Sequence, residues 1–184
     1  MQFKVSTAAK LKGVIDLPGD KSVTQRALLL NSIASGKATI RNHNTGSDAL
    51  SMFNCLQSLG ANLKKEIDNT SNQELIHVFG NGIKGLNQPK NVLDAQNSGT
   101  TMRLLAGLLS GQPFASVIDG DWSLRTRPMK RIIEPLSKMG AQINGTNNNT
   151  LPPISILGSN LKGIQYSPEV ASTQVKSCLL IAGL

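Results

Sequence analysis

The chain has 184 residues, of which 39% are hydrophobic and only 3% aromatic, and its formal net charge is +8. That length gives one domain or a little more, with an interior of Leu, Ile, Val, Ala and Met rather than of rings, and the charge implies anionic partners. The one Trp, one Tyr and four Phe do not interleave with the basic residues, which argues against nucleic acid. No basic amphipathic stretch suits a membrane surface, so small phosphorylated or carboxylated metabolites fit the charge best. No leader-like apolar segment and no run of transmembrane length is present, so the expected compartment is the cytoplasm. Cys55 and Cys178 lie in separate apolar helical patterns and read as buried free thiols rather than a disulfide or a metal pair.

Taken in chain order, the first elements are an opening tetrad, Leu11-Lys12-Gly13-Val14, an extended stretch, and a Ser-headed helix over 22–34 that stops at Ser35-Gly36. A strand is expected at 38–41. Ala49, Met52, Phe53, Leu56 and Leu59 then recur at helical spacing and mark one apolar face of a second helix. Gly60-Ala61 ends it, a strand begins near Leu63, and a closing strand covers 75–79.

The same order then recurs. The tetrad returns as Ile83-Lys84-Gly85-Leu86, 72 residues on from lysine to lysine, and as Leu161-Lys162-Gly163-Ile164 after a further 78. The second unit has a helix over 98–109 ending at Ser110-Gly111, a strand at 115–118, and a second helix with the face Met129, Ile132, Ile133, Leu136 and Met139. Gly140-Ala141, a strand near Ile143 and a closing strand over 153–157 complete it. Each unit therefore reads β-α-β-α-β-β, with unit one about 12–83 and unit two about 84–161. The strands are offset by 77 residues but the second helices by 80, which places three extra residues in the loop 119–128. Unit three covers only 162–184, so the expectation is part of a longer protein, broken off inside a helix whose apolar face is left exposed.

The chemistry-bearing residues cluster where each unit enters its first helix: 18–26, 94–103 and 169–176. Helix N-termini bind anions through unpaired N–H groups and a partial positive charge. Ser22, Ser98 and Ser172 can simply cap their helices. Three related sites, each with a basic residue nearby such as Arg26, Arg103 and Lys176, favour a shared anion site. Arg125, Arg127, Lys130 and Arg131 crowd the 119–128 loop and the following helix, and one or two of them are expected to be ligands. No metal-ligand spacing and no GxxxxGK[ST] phosphate loop occurs. His43 and His77 stand alone and read as structural or exposed. Asp20, Asp48, Asp94, Asp119 and Asp121 are candidate bases, though loop aspartates more often cap helices or pair with cations.

The motifs Leu17-Pro18-Gly19-Asp20-Lys21-Ser22, Asn97-Ser98-Gly99-Thr100-Thr101-Met102-Arg103, Ser123-Leu124-Arg125-Thr126-Arg127-Pro128-Met129 and Ala171-Ser172-Thr173-Gln174-Val175-Lys176-Ser177 resemble signatures of the 5-enolpyruvylshikimate-3-phosphate synthase family, in the family's order and over the whole chain. The resemblance implies an α/β (α+β) fold of the inverse α/β prism type: two domains, each of three βαβαββ units, closing on the substrates between them. The implied reaction moves the enolpyruvyl group of phosphoenolpyruvate to the 5-hydroxyl of shikimate 3-phosphate, with release of phosphate, no cofactor and no metal. The implied enzyme is a cytoplasmic monomer.

By this resemblance Lys21, Ser22, Arg26, Ser172, Thr173 and Gln174 bind shikimate 3-phosphate. Lys21, Gly99, Arg127 and Gln174 bind phosphoenolpyruvate, with Asn97, Thr100 and Arg103 in support. Lys21 is the one candidate for a direct catalytic part, since the family's acid–base residues belong to the second domain, which is absent from this sequence. The chain is therefore expected to bind weakly and to be inactive alone. Two rivals are weighed beside it. A UDP-N-acetylglucosamine enolpyruvyl transferase would have Lys-Asn where Lys21-Ser22 stands and a Cys in the 119–127 loop. A non-catalytic anion-binding or nucleic-acid-binding module would bind polynucleotides with steep salt dependence.

Overall fold

A computed structural model describes residues 3–7, 10 and 12–184; Leu11 of the first tetrad lies outside the described residues. Helix α1 (Lys21–Ile33) is followed by β1 (Ser35–Ile40), α2 (Ser47–Ser58), β2 (Asn62–Ile67) and β3 (Glu74–Asn81). The three strands form an antiparallel sheet in the order β1-β3-β2, with Lys37 opposite Phe79 and Lys64 opposite His77. The second unit runs β4 (Leu93–Asp94), α3 (Gly99–Ser110), β5 (Ala115–Asp119), α4 (Trp122–Arg125), α5 (Lys130–Lys138), β6 (Gln142–Gly145), the single turn α6 (Thr146–Asn149) and β7 (Leu151–Leu157). Its sheet has the order β4-β5-β7-β6, with β4 parallel to β5. After a segment without regular structure comes α7 (Thr173–Ala182).

The repeat read from the sequence is thus present as two mixed α/β units followed by the first helix of a third. The differences have local causes. The described residues of the opening stretch of unit one form no strand, and Val14, Ile15 and Leu17 are 96%, 80% and 72% exposed. A strand exists only against a partner edge, and β1 pairs on one side, with β3. Helix α1 starts at Lys21 because Asp20, not Ser22, accepts from the Val23 N–H at 2.7 Å. It ends at Ile33, so Ser35-Gly36 belongs to β1 instead of stopping the helix. The loop with three extra residues folds one turn of helix, α4, capped by Asp121.

Gly60 and Gly140 follow α2 and α5 with φ of +84° and +103°, the left-handed conformation that makes glycine an effective helix stop. Helix α3 is the centre of the molecule. Met102, Leu104, Leu105 and Leu109 are fully buried around its circumference, and a helix apolar all round needs neighbours on every side. It packs against α1, α2, α5, α7, β5 and β7. Leu180 on α7 is 74% exposed, which matches the open apolar face expected of the last helix. No helix among the described residues is long and apolar enough to cross a membrane.

Both cysteines are buried and free. Burial pushes each thiol up to about 12, and the Asp94 charge adds to the effect at Cys55. A thiol so raised stays protonated at pH 8, and the thiolate is the reactive form. Titration with a disulfide reagent at pH 8 is therefore expected to find no fast-reacting thiol in the native chain and two after denaturation. A rapidly reacting native thiol would contradict the burial of these helices.

Candidate functional site

Three helices of the repeat begin at one end of the molecule with the same device. Asp20, Ser98 and Ser172 each accept a hydrogen bond from the backbone N–H three residues on, at Val23, Thr101 and Val175. The remaining first-turn N–H groups of α1, α3 and α7 keep no partner within their own helix. Ser22, which the tetrad spacing aligns with Ser172, instead lies within the first turn of α1.

The three helix starts are tied together by side chains distant in sequence. Gln25 of α1 donates to Ser98 Oγ at 3.0 Å and Thr101 Oγ1 at 2.8 Å on α3, and to the Asp48 carbonyl of α2 at 3.0 Å. Gln174 of α7 donates to Thr100 Oγ1 at 2.8 Å and accepts from Arg103 Nη1 at 2.7 Å, both on α3. Arg26 of α1 reaches Ser177 Oγ on α7 at 3.0 Å while its other arm holds the Ser22 carbonyl at 3.1 Å. Lys21 opens α1 with its ammonium 2.7 Å from the Asp48 carboxylate and half its side chain in solvent. Ser172 is half-buried and Thr173 exposed at the start of α7.

Of the four cations crowded after β5, two are matched with carboxylates: Arg125 with Asp119, and Lys130 with Glu134 at 3.3 Å. The Arg125 hydrogen bond is the first cause of the lowered Asp119 pKa. Arg127 and Arg131 have no carboxylate within salt-bridge distance among the described residues, and neither does Arg103. Burial first, then the like charges of Arg127 and Arg131, push the Arg103 guanidinium below its ordinary pKa. Such a cluster destabilises the empty chain and favours an anion.

Gly99, buried as the first residue of α3, lies beneath this cluster. A Cβ placed there would sit 2.5 Å from Arg103 Nη1 and 3.6 Å from Arg127 Nη1. The first atom such a Cβ meets is therefore a guanidinium, which is how a larger residue here would reshape the site. Arg127 is held through its Nη2 by the Asn97 side-chain oxygen, just before the start of α3.

The sequence profile of the EPSP synthase family, 3-phosphoshikimate 1-carboxyvinyltransferase, matches residues 5–184. The chain belongs to this family. A 3-phosphoshikimate 1-carboxyvinyltransferase of Herpetosiphon aurantiacus is 48% identical over 184 residues, covering 100% of this chain and 41% of the relative. One of Chloroflexus aggregans is 49% identical over 183 residues, again 100% of this chain and 41% of its own length. The solved EPSP synthase of Acinetobacter baumannii superposes with a TM-score of 0.86 at 44% identity, over 94% of this chain and 38% of that one. The chain thus spans about two fifths of the length of these family members.

Of the residues read as ligands from the motifs, Lys21, Arg26, Asn97, Thr100, Arg103, Arg127, Ser172 and Gln174 make named contacts near the three helix starts, and Gly99 is buried there. Thr173 is exposed, and neither it nor the Ser22 side chain takes part in a named contact. One participant, Gln25, was given no role by the sequence. Gln25 is a polar residue on the buried face of α1 with Leu28, Leu29, Ser32 and Ile33; that misplacement is a readable signal of a buried polar junction. Asp48, weighed as a base, pairs with Lys21, and Asp119 and Asp121 pair with Arg125 and Asn97. His43, in the loop between β1 and α2, is buried 3.3 Å from Glu74, and His77 on β3 is 2.9 Å from Glu66. Among the described residues no group of three metal-binding side chains converges.

Proposed function

We propose that this chain forms the larger part of the substrate cradle contributed by one domain of a 3-phosphoshikimate 1-carboxyvinyltransferase, a cytoplasmic and monomeric enzyme when complete. Units at 12–83 and 84–161 and the start of a third at 162–184 make up that domain. Shikimate 3-phosphate lies across the starts of α1 and α7, with its phosphate on Ser172 and Thr173 and its ring side on Lys21, Ser22, Arg26 and Gln174. Phosphoenolpyruvate lies over the start of α3, against Gly99, with Arg127, Lys21 and Gln174 around it and Asn97, Thr100 and Arg103 behind.

The observation that carries this reading is the meeting of three N-terminal helix ends with a guanidinium cluster that no carboxylate neutralises. It fits two small polyanions side by side and matches the chemistry of the family. In the net reaction the enolpyruvyl C2–O bond to phosphate breaks and a bond to the 5-hydroxyl oxygen forms, while the hydroxyl proton is lost and phosphate departs. Arg127 and Lys21 hold and neutralise the departing phosphate or the carboxylate. Helix N–H groups and Ser172 fix the acceptor, so the enolpyruvyl carbon and the 5-hydroxyl oxygen are oriented before chemistry begins. Asp20 and Asp121 cap helices and Asp48 and Asp119 pair with Lys21 and Arg125, so we assign none of these four carboxylates to proton transfer.

Calorimetric titration of the chain with shikimate 3-phosphate, alongside Arg26→Ala, tests the placement. Saturable binding that the variant loses, with circular dichroism unchanged, is the expected result. A folded chain that ignores shikimate 3-phosphate with and without phosphoenolpyruvate, yet binds polynucleotides with a steep salt dependence, would replace this reading with the anion-binding module.

A further inference from the structure

Arg127 stands on a loop, and an arginine there loses much rotamer freedom when it is ordered. Its order has a visible source. The loops before α3 and before α4 are joined by two backbone hydrogen bonds, Ala95 N–H to the Asp119 carbonyl and Asp121 N–H to the Gln96 carbonyl, both 2.8 Å. Across that junction Asn97 Nδ2 donates to both oxygens of Asp121, at 3.1 and 2.8 Å. The Asn97 Oδ1 is thereby turned the other way and accepts from Arg127 Nη2. Asp121 also caps α4, accepting from Leu124 N–H at 2.8 Å. Ser123, in that same turn, stands 3.5 Å from Arg127 Nη2.

The order of donors and acceptors in this chain of contacts is what matters. An ionised carboxylate accepts only, whereas an amide offers a donor on one side and an acceptor on the other. Asp121 therefore dictates which way the Asn97 amide faces, and the amide oxygen is left for the guanidinium. Asp119 shows the alternative: it contacts Arg125 directly and neutralises it. Interposing an amide orients Arg127 without placing a carboxylate on it, so its charge stays available to an anion.

We propose that Asp121 is a positioning residue for Arg127, acting through the Asn97 amide. The Asp121 carboxyl is held below its ordinary range, first by the Asn97 hydrogen bond and then by the Leu124 N–H, so it remains the ionised, accepting partner at neutral pH. The consequence for ligand affinity rests on the reading of Arg127 as a phosphoenolpyruvate contact; the consequence for Arg127 itself does not.

Two variants separate orientation from charge. Asp121→Asn keeps a good helix cap but sets an amide against an amide, so Asn97 loses its fixed direction. In the double swap Asn97→Asp with Asp121→Asn, the order of donors and acceptors is restored, but a carboxylate now lies directly on Arg127. Side-chain nitrogen NMR of the 15N-arginine-labelled chain reads rotation about the Arg127 guanidinium, and calorimetry reads phosphoenolpyruvate binding with shikimate 3-phosphate present.

Asp121→Asn is expected to average the resolved Arg127 signals and weaken phosphoenolpyruvate about tenfold, the loss of one charge-assisted hydrogen bond. The double swap is expected to restore the resolved signals but not the affinity. Arg127 signals unchanged in Asp121→Asn, in a chain whose circular dichroism is unaltered, would overturn the positioning role. If the signals respond as expected while the unaltered chain binds no phosphoenolpyruvate, the positioning stands and the ligand assigned to Arg127 falls.

Discussion

Valine at position 107 is expected to cost about 3 kcal/mol, the upper part of the range for overpacked cores, or about 6 to 12 °C in melting temperature for a chain of this size. Gly107 is in the middle of α3, where the ordinary expectation runs the other way: alanine there should stabilise the helix by about 1 kcal/mol. Here the helix backbones touch. A Cβ at 107 would overlap the carbonyl oxygen of Cys178 and lie 3.0 and 3.2 Å from its C and Cα atoms. These are backbone atoms of α7 and have no rotamer to yield, so the whole helix must move.

Moving α7 also carries Gln174 away from Thr100 and Arg103, and Ser177 from Arg26. The same substitution should therefore abolish shikimate 3-phosphate binding through a contact well below the site. Thermal melts of Gly107→Ala and Gly107→Val, read by circular dichroism, give the check. A melting temperature that rises with alanine would mean that the two helices do not approach as closely as described.

How much of this could be read in advance depends on how local each determinant is. The second helices were legible because Met52, Leu56 and Leu59, and Ile132, Leu136 and Met139, repeat at 3.6-residue spacing, and because a glycine in the left-handed region ends each. The caps of α3 and α7 were legible for the same reason: Ser98 and Ser172 sit immediately before an apolar-periodic run. The start of α1 was not, since Asp20 and Ser22 are both good caps and only the chain path settles which one accepts the N–H.

The opening strand expected for unit one is not formed, because strand formation is decided by a partner edge, not by Val14, Ile15 and Leu17 themselves. The site was legible as a set of residues and illegible as an arrangement. Gln25 and Thr101 are 76 residues apart, Arg103 and Gln174 71, and Arg26 and Ser177 151. No periodicity reports such pairings. The division of cations into paired (Arg125, Lys130) and unpaired (Arg103, Arg127, Arg131) is only half local: Arg125–Asp119 and Lys130–Glu134 are six and four residues apart, whereas the convergence of the three arginines comes from the tertiary fold.

That division leads to an expected crossing of stability and binding in Arg127→Gln. Three guanidiniums held near one another without a carboxylate repel, and an anion relieves the repulsion. In the unaltered chain, phosphoenolpyruvate at about a hundred times its dissociation constant should add about 2.7 kcal/mol, or about 5 to 10 °C in melting temperature. Glutamine at 127 removes one charge from beside Arg103 and keeps a polar side chain in its place, though one too short to reach Asn97 Oδ1 as Arg127 Nη2 does. The ligand-free variant is then expected to be as stable as the original or more so, by about 0.5 kcal/mol, the scale of a partly exposed charge interaction. Its melting temperature should hardly respond to phosphoenolpyruvate. Chloride should raise the ligand-free melting temperature of the original more than that of the variant, because salt screens the repulsion that the variant has already lost. Melting curves of both chains against phosphoenolpyruvate and against chloride supply the measurement. A ligand-free variant that melts well below the original, yet gains as much from phosphoenolpyruvate, would show that Arg127 serves the fold and leaves the anion to other groups. The predicted result would mean that this cluster trades stability of the empty chain for affinity, as sites that hold like charges together commonly do.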